Sequence, residues 1–362
     1  MPDPSQASPP SRQFWRWGVI AIAVVILALA FAYVGGWLSP QRLTPQRIVN
    51  ALQDNGGLHP GYRRNHAKGI CVAGYFEGSG AASAYSTASV FQNIRTPVVG
   101  RFAIPGGNPY APDGSTPIRS LALRFDLPNG QQWRTGMNNI PVFVVSTPEA
   151  FYQLTMATRP DPATGKPDPA LAGAFFAAHP EAAAFLAWAK SSQPSASFAT
   201  DSYDALDAFY FVDAQGQQHA VRWRVVPEAR DEAGAVPKTN DNDFLSQNLR
   251  ERLAAGPQRW RLLVTLAAPG DPTDDATKAW PSDRTVIDAG TLVIENEQPQ
   301  DSGPCRDINY DPTVLPDGIR ISDDPLLPAR SAAYADSYLR RTSEEAHLPG
   351  AARAVTSAPE NK

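Results

Sequence analysis

Three short stretches of this 362-residue sequence carry side chains whose types suit chemistry. His66 lies in RRNHAKG, Asn138 opens the asparagine pair of GMNNIPVF, and Arg330 and Tyr334 lie in LLPARSAAYADSYLRR. An imidazole that titrates near neutrality can take up a proton and return it. A neutral amide can donate a hydrogen bond to a departing oxygen without adding a charge. If the third stretch is helical, Arg330 and Tyr334 meet on one face, and the guanidinium favours the ionised phenol that an anionic ligand requires.

Each of these residues also has a blander interpretation. Taken alone, His66 is a structural residue beside a strand, and the asparagine pair is a polar turn. Tyr334 is then a packed aromatic whose hydroxyl reaches the surface, with Arg330 as its solvated neighbour. The choice between the two interpretations depends on the sequences that flank these residues, considered together and in their order along the chain.

Composition indicates a globular, weakly acidic protein. The net charge is −4 and the pI is near 5.8. Nucleic-acid-binding proteins usually carry an excess of basic residues, so no nucleic-acid partner is expected. Cys71 and Cys305 leave two alternatives open, a single long-range disulfide formed in an oxidising compartment or two buried free thiols.

The N-terminal segment is expected to anchor the protein in a membrane. Residues 17–38, WGVIAIAVVILALAFAYVGGWL, carry no charge and are long enough to cross a bilayer as a single helix. Arg12 and Arg16 predict that residues 1–16 stay in the cytoplasm and that the remaining chain is periplasmic or otherwise extracytoplasmic. ALAFA resembles a processing site, so an export signal is the alternative, and cleavage stays open.

The pattern of the remaining chain predicts an α+β fold. A helix is predicted to begin at Thr44-Pro45. Further helical stretches are PEAFYQLTMA, ALAGAFFAAHPEAAAFLAWAK, broken at Pro180, and DFLSQNLRERLAAG. Residues 342–362 are expected to form a flexible tail. Strand-like runs are GICVAGYF, PVVGRFAI, RSLALRFDL, PVFVVS, AFYFVD, HAVRWRVV, RWRLLVTLA and TLVIE. About eight strands in hairpin order predict a closed antiparallel barrel with surrounding helices.

With these stretches in this order, the sequence resembles the monofunctional haem catalase superfamily, particularly its small catalase-related peroxidase branch. The resemblance runs from about residue 50 to 341 and includes RTPVVGRFAIPGG, RSLALRFDLPNGQQWRTGMNNIPVFVVSTPEAF and YFVDAQGQQHAVRWRV. It implies a catalase-like, eight-stranded barrel domain over residues 44–341 that binds haem b. The implied enzyme is a peroxidase that reduces hydrogen peroxide or organic hydroperoxides with a small electron donor, through a high-valent oxo-iron intermediate.

The resemblance also implies a role for each candidate residue. His66 and Asn138 correspond to the distal catalytic pair, and Tyr334 to the axial iron ligand beside Arg330. The other implied haem contacts are two phenylalanines, Phe143 in the distal wall and Phe151 over the haem face, and three propionate-binding arginines, Arg63, Arg101 and Arg341. For the three arginines, ordinary surface charge is the competing interpretation.

Two positions depart from the pattern of the family. Asn65 stands where large catalases usually have valine, which indicates a change in peroxide access or orientation. Ala103 follows Arg-Phe where catalases usually place a serine that hydrogen-bonds the distal imidazole, so His66 is expected to lack that partner.

Because the chain continues only a little beyond Arg341, where full-length catalases have a further helical portion, a bound NADPH is not expected. These departures favour slow peroxidase activity over rapid dismutation, in a monomer or small homo-oligomer. The alternatives are a hydroperoxide isomerase, a weak catalase, or a non-catalytic haem-binding protein held at the membrane.

Overall fold

A long exposed helix precedes the body of the protein. The computed structural model describes residues 11–35, 38, 42–228 and 241–347. Helix α1, Ser11–Val34, contains a stretch, Phe14–Val34, that is long and apolar enough to cross a membrane and is 0% buried in the protein. An export signal near an N-terminus has the same character. The helix begins before the predicted span of residues 17–38 and ends at Val34, next to Gly35, and part of that span, residues 36 and 37, lies outside the described residues.

The body is built on a closed ring of eight antiparallel strands, which confirms the predicted barrel. From one neighbour to the next, the ring runs β7, β5, β4, β3, β2, β1, β9, β8 and back to β7, and β6 and β10 extend from the side of β7. The strands are β1 Gly69–Gly78, β2 Arg95–Ala103, β3 Ser120–Asp126, β4 Gln132–Asn138, β5 Tyr203–Asp204, β6 Phe209–Val212, β7 Gln218–Pro227, β8 Gln258–Leu266, β9 Val286–Pro299 and β10 Ile319–Ile321.

The membership of the ring differs from the eight predicted runs in two places. AFYFVD contains β6, which lies outside the ring beside β7, and the ring members β4 and β5 are not among those runs. Residues 141–146, PVFVVS, form no strand. Pro141 has no N–H for a ladder, and the Phe143 N–H donates instead to the Ala276 carbonyl at 2.8 Å. The short β5, which the sequence does not reveal, takes the place beside β4.

The inside of the ring is filled with side chains. Trp133, Trp223 and Trp260 are completely or almost completely buried, and the Trp223 indole donates to Thr135 Oγ1 at 3.0 Å. Because strand side chains alternate, the neighbouring positions of β2, β3 and β4 point outwards. The space for a ligand therefore lies outside the ring, under the helices.

Six α-helices follow α1 in the described part of the chain, and three of them cover the outer face of β2 to β4. They are α2 Pro45–Gly56, α3 Pro148–Ala157, α4 Pro169–Ala178, α5 Ala183–Ser191, α6 Phe244–Ala255 and α7 Leu326–His347. Thr44 caps α2 as predicted, its hydroxyl accepting from the Arg47 N–H at 3.3 Å. Helix α2 packs against α3 and α7, and α3 packs against α4.

The start of the predicted tail at residue 342 is wrong. Helix α7 continues to His347, and its last turns are fixed by ion pairs. Glu344 pairs with the buried Arg64 and accepts from the Gly61 N–H at 2.9 Å, while Glu345 lies 2.9 Å from Arg306. Residues 348–362 lie outside the described part of the chain.

Cys71 and Cys305 form a disulfide, which decides between the two alternatives left by the sequence. The bridge joins β1 to a segment that follows β9 and packs with Ile308 and Tyr310. It thereby holds the 305–308 segment against the outer face of the ring, next to the cavity described below.

Candidate functional site

A cavity of about 890 Å³ lies between the outer faces of β2, β3 and β4 and helices α2, α3 and α7. Its volume is in the upper part of the range of ligand pockets. All nine side chains predicted to carry the chemistry line it: Arg63, His66, Arg101, Asn138, Phe143, Phe151, Arg330, Tyr334 and Arg341.

The register of strands β2, β3 and β4 places Ala103, Ser120 and Asn138 side by side. Ala103 on β2 pairs with Ser120 on β3, and Ser120 pairs with Asn138 on β4. Since paired residues on adjacent antiparallel strands share a face, these three form one row across the sheet. Ser120 therefore lies between the position of Ala103 and the amide of Asn138.

His66 sits in a constrained turn just before β1. Its φ of 54° is in the left-handed region that residues other than glycine rarely adopt. The Asn65 side-chain oxygen accepts from the His66 N–H at 2.9 Å and from the Gly106 N–H at 2.8 Å, which holds the turn in place. The Asn65 side chain therefore fixes the backbone around His66, and it also lines the cavity.

The His66 imidazole is neutral at physiological pH. Burial, and then the charges of Arg101, Arg330 and Arg63, lower its pKa from 6.5 to about 3. Ser120 Oγ lies 3.2 Å from His66 Nδ1 and donates to Asn138 Oδ1 at 2.6 Å. A hydroxyl has one proton to donate, so Ser120 accepts from an Nδ1–H of the ring. The lone pair is then on Nε2.

The expectation that Ala103 leaves His66 without a partner is therefore wrong, because Ser120 on the adjacent strand supplies the hydroxyl. The sequence gives only a weak signal for it, a polar side chain at an outward position of β3. The second asparagine, Asn139, is structural: its Oδ1 accepts from the Arg119 N–H at 2.7 Å, and its amide donates to Asp201 at 3.1 Å.

Arg330 and Tyr334 lie one turn apart on α7, as expected for a helix. Burial lowers the pKa of Arg330, but the charges of Asp207 and Tyr334 and their hydrogen bonds to the guanidinium outweigh it and raise the pKa overall. Gly136 keeps the space above this pair open, because a Cβ there would lie 3.3 Å from Arg330 Nη2 and 3.7 Å from the Tyr334 hydroxyl.

Asp207 is a residue of the site that the sequence does not reveal. Its buried carboxylate forms an ion pair with Arg330 Nη1. Asp324 lies behind it, and burial, together with the charge of Asp207, raises the pKa of Asp324 to about 7. Arg330 is therefore held between a carboxylate and the Tyr334 phenol. A lone aspartate between two apolar residues, as in LDA, gives no local signal for this role.

Arg63, Arg101 and Arg341 are gathered at one part of the cavity wall, and the surface-charge interpretation is wrong for them. Within the described ranges none of the three forms an ion pair. Arg63 donates to the carbonyls of Cys305 and Ile308 at 3.0 and 2.9 Å. Burial lowers the pKa of Arg101 to about 10, with Arg341 contributing.

Two nitrogens of this cluster are buried without a hydrogen-bond partner, Arg101 Nε and Arg341 Nη2. Buried cations without counter-charges are costly, so the cluster fits a ligand that brings carboxylates. Phe143 and Phe151 add a flat wall, with ring centroids 6.0 Å apart and planes 25° apart. These features, together with the Tyr334 phenol, fit a planar macrocycle with acidic side chains and a metal that accepts a phenolate.

Comparison with known proteins agrees with this geometry. The family model for Catalase matches residues 60–355. A catalase-related peroxidase of Synechococcus elongatus is 41% identical over 333 residues, covering 91% of this chain and 98% of that protein. A catalase-related peroxidase of Mycolicibacterium paratuberculosis is 33% identical over 303 residues, covering 83% of this chain and 95% of that protein.

Solved structures share the fold. A bacterial catalase superposes with a TM-score of 0.68 at 22% identity, covering 83% of this chain and 60% of that one. Catalase A from Saccharomyces cerevisiae gives a TM-score of 0.70 at 19% identity, covering 78% of this chain and 62% of that one. The chain thus spans about three fifths of these larger proteins.

Proposed function

This chain belongs to the catalase family and is an oxidoreductase that acts on peroxide, and we propose that it is a haem b peroxidase that reduces hydrogen peroxide or organic hydroperoxides with a small electron donor. The family implies haem binding. The observation that carries the proposal is the chain of contacts from His66 through Ser120 to Asn138, in the same cavity as Tyr334 and Arg330.

Different residues around the cavity would contact different parts of the cofactor. We assign Tyr334 as the iron ligand, with Arg330 favouring its phenolate form. Phe143 and Phe151 would contact the macrocycle. The arginine cluster, Arg63, Arg101 and Arg341, would bind the two propionates, which would give these arginines the direct ion pairs that they do not form with other described residues.

Bound haem supplies the iron at which the O–O bond of the peroxide is cleaved. His66 Nε2, which carries no proton because the pKa of the imidazole is low, would accept a proton from one oxygen of the peroxide and deliver it to the other, the oxygen that leaves. Asn138 turns its Oδ1 towards Ser120, which leaves the Nδ2 donor to stabilise the leaving oxygen. The oxygen that leaves departs as water or alcohol, and the donor then provides the two electrons and two protons with which the second oxygen of the peroxide is released as water.

We propose that helix α1 is a retained single-pass anchor and that the haem domain is extracytoplasmic, as a monomer or small homo-oligomer. The length and apolar composition of Phe14–Val34, none of which is buried in the protein, support the anchor. The disulfide between Cys71 and Cys305 supports an oxidising compartment.

A test uses the full chain, produced with haem and purified in detergent. We expect the absorption spectrum of tyrosinate-ligated ferric haem, and oxidation of a dye donor on addition of peroxide. His66→Ala is expected to retain haem and to lose at least about 100-fold in turnover, whereas His347→Ala, at an exposed end of α7, is the matched control and should be unaffected. Unchanged turnover in His66→Ala would contradict the proposal.

The same preparation separates the alternatives. Oxygen evolution from hydrogen peroxide without a donor indicates a weak catalase, and conversion of a fatty-acid hydroperoxide without a donor indicates an isomerase. Bound haem with no reaction at all indicates a non-catalytic haem protein. Asn65, the residue that suggested the isomerase alternative, lines the cavity while its Oδ1 accepts from backbone.

A further inference from the structure

Helices α4 and α5 present an apolar outer face with almost no charge. Over residues 169–191 the charged residues are Glu181, which is bonded to His179 at 2.7 Å, and Lys190. The two helices together are as apolar as a membrane span, but they are bent by 98° and lie on the surface. Leu171 and Leu186 are 56% and 37% exposed, and Ala174, Ala177 and Ala183 are exposed between them.

The inner face of the same helices covers the cavity. Phe175 is buried in a cluster that includes Phe143 and Phe151, and Phe176 and Phe185 line the cavity itself. An amphipathic helix needs one apolar side to pack on the core. Here the phenylalanines cover the core, and Leu171, Leu186 and the exposed alanines keep apolar surface open on the outer side of the helices.

A series of contacts joins this region to α1. Arg42 Nη1 donates to the Tyr33 carbonyl at the end of α1 at 3.2 Å, and Arg47 Nη1 donates to the Arg42 carbonyl at 3.1 Å. The Arg47 guanidinium lies over the ring of Tyr152 on α3 at 5.1 Å. Because α3 packs directly on α4, these contacts link the end of α1, through α3, to the helices that carry the apolar face.

From this arrangement we propose that the outer face of α4 and α5 rests in the lipid bilayer that holds α1, and that the cavity receives hydroperoxides of membrane lipids. Apolar helical surfaces of this kind bury themselves at the boundary between head groups and acyl chains. A lipid hydroperoxide at that depth meets the apolar wall formed by Phe176 and Phe185 before it reaches His66. This inference rests on the proposed peroxidase function and adds its substrate class.

The reaction balances with the donor already proposed. The O–O bond of the lipid hydroperoxide breaks, and one oxygen stays on the lipid as an alcohol. The other oxygen leaves as water. The two electrons and two protons that this requires come from the small donor, which is oxidised.

The contact with lipid is tested on the full chain in phospholipid nanodiscs. Both natural cysteines are bridged and buried, so a fluorophore reacts at a single introduced cysteine, Leu186→Cys. The control is Asn129→Cys, at the exposed β3–β4 turn, which is at the other end of these strands from Ser120 and Asn138. Lipids with a quencher near the head group are expected to quench the label at 186 and not at 129. Equal quenching at both positions, or none at 186, overturns the docking surface.

The substrate class is tested with Leu171→Lys and Leu186→Lys, which alter the face without touching the cavity lining. Turnover of a phospholipid hydroperoxide in the bilayer is expected to fall about tenfold, with hydrogen peroxide turnover unchanged. Equal rates for the lipid substrate in variants and parent chain overturn the inference while leaving the peroxidase function intact. Absence of hydrogen peroxide turnover in the parent chain instead counts against the proposed function.

Discussion

Replacing Ser120 with alanine tests the hydrogen-bond chain at the centre of the site. Ser120 Oγ is the atom that connects the imidazole of His66 at 3.2 Å with the amide oxygen of Asn138 at 2.6 Å. The substitution removes the oxygen and adds no bulk. It therefore frees the ring of His66 to turn or to move its proton to Nε2, and it frees the Asn138 amide to flip.

The expected loss follows from the two hydrogen bonds. Each bond between neutral groups contributes about 0.5–1.5 kcal/mol, so their joint removal costs about 1–3 kcal/mol of transition-state stabilisation. At 1.4 kcal/mol for a factor of ten, the rate constant for peroxide should fall by about 5- to 150-fold. The haem spectrum should be unchanged, since Ser120 is on the side of His66 and Asn138 and is not among the groups assigned to hold the cofactor.

Stopped-flow measurement of the second-order rate constant with peroxide provides the assay. Strand pairing offers a specific rescue, because Ala103 is the direct partner of Ser120 on β2. The double variant Ala103→Ser/Ser120→Ala returns a hydroxyl to the same row and should recover much of the lost rate. Ser120→Thr should stay close to the parent. A parental rate constant in Ser120→Ala would refute the reasoning, and failure of the double variant would refute the equivalence of the two strand positions.

Two further outcomes are expected. Replacing Cys71 and Cys305 with alanine should lower the free energy of unfolding by as much as about 5 kcal/mol, because the disulfide closes a loop of 234 residues in the unfolded chain. Denaturant unfolding in detergent measures this change. A decrease of less than about 1 kcal/mol would show that the disulfide does not restrict the unfolded chain as expected. The rate constant with peroxide should be independent of pH between about 5 and 8. Protonated His66 cannot act as a base, and it forms only near the pKa of about 3 that burial gives this imidazole. A fall in the rate constant centred near pH 6.5, the ordinary pKa of histidine, would contradict the effect of burial on His66.

Features encoded by neighbouring residues could be predicted from the sequence to within a residue or two. Helix α3 begins and ends where the sequence indicates, since Thr147 caps it, its hydroxyl accepting from Ala150 N–H at 3.2 Å, and Pro148 opens its first turn. The spacing of Arg330 and Tyr334 on α7 is of the same kind. All nine candidate residues line one cavity because the order of several motifs, taken together, carries information that no single motif has.

Features that depend on contacts between distant segments could not be predicted in this way. The two-residue β5 has no pattern of its own and exists because Asp204 pairs with Asn138 on one side and Arg224 on the other. The ion pair of Asp207 with Arg330 joins residues 123 positions apart. Helix α7 continues to His347 because Glu344 and Glu345 find partners in Arg64 and Arg306, far from them in the chain.

Ala103 and Ser120 illustrate why a position-by-position reading of the site misleads. Compared with the family pattern, Ala103 signals the loss of a hydroxyl beside His66. In an antiparallel pair, however, opposite residues lie about 5 Å apart on the same face, so a hydroxyl moved from β2 to β3 can still reach the same imidazole nitrogen. The new position has an added consequence, because Ser120 also adjoins Asn138 on β4. One hydroxyl now fixes both the proton of His66 and the direction of the Asn138 amide, so the two groups proposed to act on peroxide are coupled and should respond together to any change at Ser120.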